Sequence, residues 1–114
     1  MNDLLLNLPL REPTFLILLS LAPGPRHGYA ILKEVEILSD GRVKMSTGTL
    51  YGAIERLLDQ AWIRRVDDPL PNETNRERKS YELTDLGRKM LEAEIARLGK
   101  LVSVAKARLA QDKI

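Results

Sequence analysis

Cysteine is absent from this chain, and histidine occurs once, at His27. The first absence excludes a disulfide framework, a thiolate metal site and a thiol redox centre, and it suits a reducing, cytoplasmic compartment. The second leaves no imidazole partner at ligand spacing, so His27, between Arg26 and Gly28, reads as a loop or capping residue with no metal or catalytic part. A glycine-rich phosphate loop is missing too: Pro23-Gly24-Pro25-Arg26-His27-Gly28 carries prolines and lacks both the spacing and the Lys-Ser/Thr ending of one. The carboxylates are scattered among opposite charges on amphipathic segments, where solvation and ion pairing explain them without catalysis. An enzyme is therefore not expected, and neither is a cofactor or a metal. Charge of one sign is also lacking, with 18 basic against 16 acidic residues. A field over the whole molecule cannot drive binding to a polyanion, and any such attraction must be local. Finally, there is no long apolar run. The stretch from Leu4 to Leu21 is interrupted by Asn7, Pro9, Arg11, Glu12 and Pro13, and it lacks a basic lead-in and a small-residue cleavage site. Neither a signal peptide nor a membrane span is expected.

What is there is enough for one folded domain. A chain of 114 residues buries about 60 to 70% of its unfolded surface, sufficient for a single apolar core. Thr14-Phe-Leu-Ile-Leu-Leu-Ser-Leu21 is apolar nearly all round, with Pro13 suited to a first turn and Pro23-Gly24-Pro25 as a stop, which predicts a short buried helix. After His27-Gly28, the residues Tyr29, Ile31, Leu32, Val35 and Leu38 recur at helical spacing until Asp40-Gly41. Arg42-Val43-Lys44-Met45 alternates as a half-buried strand does. Ser46 reads as an N-cap, its hydroxyl accepting from an otherwise unpaired N–H, for a helix whose apolar stripe is Leu50, Ile54, Leu57 and Leu58. Trp62 to Val66 and Lys79 to Leu83 are strand candidates. Between them, Asp67 to Arg78 is an extended hairpin loop. Helix, helix, strand, helix and a long hairpin is the winged-helix order.

Three runs in this order resemble the PadR family of bacterial transcriptional regulators. They are Gly24-Pro25-Arg26-His27-Gly28-Tyr29; Ser46 to Tyr51 followed by Ile54, Leu57 and Leu58; and Tyr81-Glu82-Leu83-Thr84-Asp85-Leu86-Gly87. The similarity extends from about Leu16 to about Leu98 of the 114 residues. It implies a mainly α fold with a small β-hairpin wing: a winged helix-turn-helix DNA-binding domain over residues 1–83 and a long C-terminal dimerisation helix over 84–114, compact as one domain. It also implies a homodimeric repressor and a small-molecule effector near the dimer interface. The segment from Asp85 to Ile114 holds no aromatic residue with which to stack such a compound. Two positions depart from the family: Ala61 stands where glycine is usual after the recognition helix, and Ser80 where an aromatic is common.

The residues themselves support double-stranded DNA as partner. A helix fits the major groove, and its N-terminal residues reach base edges and phosphates first. Here these are Ser46, Thr47, Thr49 and Tyr51, small hydroxyls and a phenol, with Gly48 keeping the surface low. Arg56, nearly two turns on, reaches toward flanking backbone, and Lys44 precedes the helix. On the wing, Arg76, Arg78 and Lys79 crowd one side of the tip, where they can meet a minor groove or its phosphates. Singly each residue has an ordinary explanation: Ser46 caps a helix in any protein, Tyr51 closes the core against Tyr29, and Asp67, Asp68, Glu73 and Glu77 make the wing a mixed, solvated loop. Trp62 anchors the first wing strand on the core. Their joint placement favours the interface.

From Asp85 to about Gln111 no proline intervenes, and Leu91, Ile95, Leu98, Val102, Ala105 and Leu109 form a coiled-coil seam. At 1.5 Å per residue this helix is about 40 Å long, more than so small a domain can cover with its own core, and a second copy of the chain is the simplest supplier of the missing surface. Met90, Ala93, Leu101 and Val104 widen the apolar face, for which the partner's Leu4, Leu5, Leu6 and Leu8 are one candidate contact. Lys89, Glu92, Glu94, Arg97, Lys100 and Arg108 are expected on the polar face. A two-fold pair of readers addresses half-sites about 34 Å apart on a near-palindromic operator. The rival is a winged-helix module that binds protein, since the fold hosts both uses; steep salt dependence separates the two.

Overall fold

The computed structural model describes residues 6–67 and 79–111. In chain order these residues form α1 (Glu12–Ser20), β1 (Arg26–His27), α2 (Gly28–Leu38), α3 (Thr47–Asp59), β2 (Ile63–Asp67), β3 (Lys79–Leu83) and α4 (Asp85–Gln111). The architecture is mainly helical with a three-stranded antiparallel sheet in the order β1-β3-β2. Most of the hairpin loop expected over Asp67 to Arg78 lies outside the described residues, as do Leu4 and Leu5.

Pro13 occupies the first turn of α1, where its missing N–H deprives the helix of nothing. Leu16, Ile17 and Leu18 fill the centre of the core. The buried Ser20 hydroxyl donates to the Ile17 carbonyl at 2.7 Å, so its burial leaves no polar group unpaired. Helix α2 contributes Ile31 and Val35 to that core. Tyr29, read from periodicity as part of the same stripe, is instead 67% exposed. It belongs to the first turn, where the Lys33 ammonium stands 5.6 Å from its ring centroid. The helix stops where Asp40 turns into the left-handed region at φ 55°. There the Gly41 N–H donates back to the Glu36 carbonyl at 2.7 Å, satisfying an acceptor that the helix end would otherwise leave open.

The strand expected at Arg42–Met45 is not one. The Val43 N–H donates to the Ser39 hydroxyl at 2.9 Å rather than to a neighbouring strand. Val43 and Met45 are half-buried as the chain crosses to α3, which produces alternation without a ladder. The third strand is Arg26–His27, which pairs with β3 through Arg26 opposite Tyr81 and His27 opposite Ser80. Ser80 matches this partner: its hydroxyl lies 2.9 Å from His27 Nδ1.

Helix α3 ends in a hydrogen-bonded reverse turn, with Trp62 N–H to Leu57 carbonyl and Ala61 N–H to Leu58 carbonyl, both at 3.0 Å. This is the pattern by which a left-handed residue closes a helix. Ala61 is that residue, at φ 61°, a conformation that glycine adopts freely and an L residue does not. Trp62 is thereby delivered into the core as β2 begins. The run Leu83-Thr84-Asp85-Leu86-Gly87 clasps this corner to α4. Thr84 donates its N–H to the Trp62 carbonyl (3.1 Å) and its hydroxyl to the Ala61 carbonyl (2.6 Å), while the same oxygen caps α4 by accepting the Gly87 N–H (3.0 Å). A Cβ at Gly87 would stand 2.8 Å from the Trp62 carbonyl carbon, so only glycine lets the helix lie this close.

Helix α4 is buried only over its first turns, at Gly87, Met90, Leu91 and Glu94. It runs unbroken past Gly99 to Gln111. From Ile95 onward it projects about 25 Å at 1.5 Å per residue. The radius of gyration, 16.8 Å, correspondingly exceeds the about 13 Å expected of a compact chain this long. Glu94, expected on the polar face, is only 2% exposed. Its carboxylate accepts the Leu10 N–H at 2.8 Å and is gripped by Arg97. Arg97 and the Leu10 amide hold the Glu94 carboxyl below its ordinary value against the opposing effect of burial. Leu8 and Leu10 are partly buried against the protomer's core, while Leu6 is exposed.

Candidate nucleic-acid interface

The N-terminus of α3 stands clear of the body, with Ser46, Thr47, Gly48 and Thr49 all exposed. Ser46 caps the helix: its hydroxyl oxygen accepts the Thr49 N–H at 3.1 Å and its proton goes to Thr49 Oγ1 at 2.9 Å. That cap is worth about 1 kcal/mol, and it commits Ser46 to the helix itself. The proton of the Thr49 hydroxyl stays available to an acceptor outside, as does the exposed Thr47 hydroxyl. These two rather than Ser46 are the donors this end of the helix offers.

Tyr51 is 40% exposed, and Tyr29, itself exposed, does not close a core with it. The Tyr51 ring lies across Gly28, where an added Cβ would come within 2.9 Å of the Tyr51 Cζ. The run His27-Gly28-Tyr29 thus works as a seat: Gly28 gives the phenol room to lie on the start of α2. Arg56 leans back along α3, a guanidinium nitrogen 3.9 Å from where a Cβ on Gly52 would be. It lines a shallow groove of about 190 Å³ with Arg11, Gln60 and Trp62. Lys44 is exposed and stands 3.8 Å from Glu36, a surface pair that contributes little. Lys79 opens β3 and is exposed; Arg76 and Arg78 lie outside the described residues.

One residue that the sequence did not single out, Arg65, is brought toward this side by the hairpin. In the register of the hairpin, Arg65 lies opposite Tyr81 and Arg64 opposite Glu82. Directly opposed residues share a face, so the adjacent arginines separate. Arg64 is tied to Glu82 on one side, with Nε 2.6 Å from the carboxylate. Arg65 shares the other face with Ile63 and Tyr81, and it has no ion pair among the described residues. Burial pushes the Tyr81 hydroxyl above its ordinary value; Tyr51 and Glu55 add to this, while Arg65 opposes it. The register thus sets Arg65 beside Tyr81, on the hairpin face turned away from Arg64. The alternation Ile63-Arg64-Arg65-Val66 was the available signal, legible only once the facing strand is known.

The seam residues divide as well. Leu91 is 3% exposed and packs in its own core, whereas Ile95, Leu98, Val102, Ala105 and Leu109 line the projecting part of α4 and are open to solvent, together with Leu101 and Val104. Among the described residues no helix is long and apolar enough to cross a membrane.

Residues 17–93 match the profile of the transcriptional regulator PadR-like family. A relative from Streptomyces fradiae, described as an uncharacterized 37.1 kDa protein in transposon TN4556, is 37% identical over 90 residues, covering 79% of this chain and 24% of the relative. The chain thus spans about a quarter of that protein's length. Among solved structures, a PadR family transcription regulator from Clostridium difficile R20291 superposes with a TM-score of 0.71 at 23% identity, covering 87% of this chain and 99% of that one. Bacillus subtilis PadR in complex with operator DNA gives 0.64 at 24% identity, covering 75% and 47%. These two likenesses establish a shared fold.

Proposed function

The chain belongs to the PadR-like family of transcriptional regulators, and from that premise we propose that it is a homodimeric repressor that binds a near-palindromic operator. In this reading residues 1–83 form the reader and 84–114 the dimerisation tail, and the protein works in the cytoplasm. The observation that carries it is the free N-terminus of α3: a capped helix end with two outward hydroxyls, no side chain at Gly48, and no acidic residue in its first turn. Such a surface can approach phosphates and base edges closely. Arg65 and Lys79, on one face of the hairpin, and Arg56, further along α3, are the local positive charges that the net balance does not supply. Thr49 and Tyr51 are the candidates for base readout, and Thr47, Lys44, Arg56 and Lys79 for phosphate.

The tail supports the dimer. Its exposed Ile95, Leu98, Leu101, Val102, Val104 and Leu109 form an apolar surface that water disfavours, and a second copy covers it with the same surface. A ligand that changed the angle between two such helices would move the paired readers out of register, which gives repression its switch. The Bacillus subtilis protein was solved with operator DNA, and the reading carries that partner class to this chain. Selection from a pool of random duplexes tests it. The expected result is enrichment of a palindrome with half-sites about 34 Å apart and affinity falling steeply with salt. No enrichment, with salt-independent retention, points instead to a protein-binding winged helix.

A further inference from the structure

The face of α3 opposite its core stripe is made by Gly48, Gly52, Glu55 and Asp59, at spacings of four, three and four. Leu50, Ala53, Ile54 and Leu57 are buried on the other side. Gly48 opens onto free space, and Gly52, half-buried, has only the flexible Arg56 tip at 3.9 Å above it. With no side chain at either position, α3 can lie low in a groove. Along this face the first long side chain is Glu55, one turn beyond Tyr51; it is exposed and has no ion pair among the described residues.

A carboxylate on a surface that approaches a polyanion is unfavourable unless it receives a hydrogen bond there. The major groove offers it two donors, cytosine N4–H and adenine N6–H. Beside adenine N6 lies the N7 acceptor, which repels a carboxylate, whereas cytosine presents no acceptor at that edge. Arg65, opposite Tyr81 in the hairpin and, like Glu55, near enough to act on its hydroxyl, supplies a positive charge that lessens the repulsion between Glu55 and phosphate.

We infer that Glu55 is a specificity-determining residue that selects cytosine at one position of each half-site, its carboxylate accepting from the exocyclic amine. The inference rests on the DNA-reading function proposed above and adds to it a base and a residue. A glutamine of the same length both donates and accepts, which matches the N6 and N7 pair of adenine.

The experiment is selection from random duplexes with the wild-type protein and with Glu55→Gln and Asp59→Asn, followed by mobility-shift titration of the enriched site and of its single-base variants. The wild type is expected to prefer cytosine over adenine at one position per half-site by on the order of 10- to 100-fold. Glu55→Gln is expected to lose that preference or turn it toward adenine. Asp59→Asn removes the same charge one turn further along and is expected to leave the base ranking intact. If Glu55→Gln merely tightens binding to every sequence with the ranking unchanged, Glu55 acts through charge alone and the inference is overturned, while the DNA-reading function stands. If the wild type enriches no sequence, both fall together.

Discussion

Replacing Gly87 with alanine tests whether the run Leu83-Thr84-Asp85-Leu86-Gly87 is an architectural clasp. A Cβ there stands 2.8 Å from the carbonyl carbon of Trp62 and 3.2 Å from its Cα, and closer still to its oxygen. These are backbone atoms at the start of β2, so no side-chain rotation relieves the clash, and α4 must move away. Three hydrogen bonds span this corner: Thr84 N–H to Trp62, Thr84 hydroxyl to Ala61, and Gly87 N–H to Thr84. At about 1 kcal/mol net each, losing them costs about 3 kcal/mol. Alanine regains at most about 1 kcal/mol of helix propensity, leaving a net loss of about 2 kcal/mol. Unfolding entropy of about 2.1 cal/mol/K per residue, over this chain, makes that a fall in Tm of about 8 °C. Thermal unfolding followed by circular dichroism, at one fixed protein concentration because a dimer's midpoint depends on it, measures the change. An unchanged or raised Tm refutes the account, since propensity would then outweigh the clasp.

Ala61→Gly is expected to raise stability by about 0.5 to 1 kcal/mol in denaturant titration, because relief of the left-handed backbone exceeds the entropy that glycine adds to the unfolded chain. Gly48→Ala meets nothing within 4 Å, so it should stabilise α3 by up to about 1 kcal/mol while weakening operator binding in mobility shifts, separating fold from function. Leu98→Glu places a charge in the exposed apolar seam and should yield monomers by sedimentation; an intact dimer would relocate the interface. For Glu94 the folded pKa lies below the ordinary value of 4.5, so its contribution is present above that value and is lost as pH falls through the lower folded one. Stability should therefore be insensitive to this group between neutral pH and about 5, and Glu94→Gln should make the acid limb of unfolding shallower.

The elements governed by short-range rules were legible in the residues. Pro13 and Pro23-Gly24-Pro25 bound α1, Ser46 caps α3, Lys79–Leu83 forms a strand, and an uninterrupted helix follows Thr84, because caps, proline and periodicity act within a few residues. The misplaced strand at Arg42–Met45 and the misassigned Tyr29 share one cause. Alternation and helical spacing record which residues are partly buried; they do not record what buries them. Likewise Glu94 has the periodicity of a surface charge, and nothing local reveals that the Leu10 amide reaches it from the far end of the chain while Arg97 closes on it from the next turn.

The same division runs through the candidate site. The hydroxyl-rich start of α3 and the glycines that keep it low are properties of nearby residues, and the sequence alone determined them along with the order of the helices and hairpin and the family. Which of two adjacent arginines shares a face with Tyr81, where the Tyr51 ring rests, and where α4 leaves the core depend on strand register and on close backbone approach at Gly28 and Gly87. Most of those are distances between residues far apart in the chain. Only the folded arrangement decides them, because each is set by what excludes water from the other side.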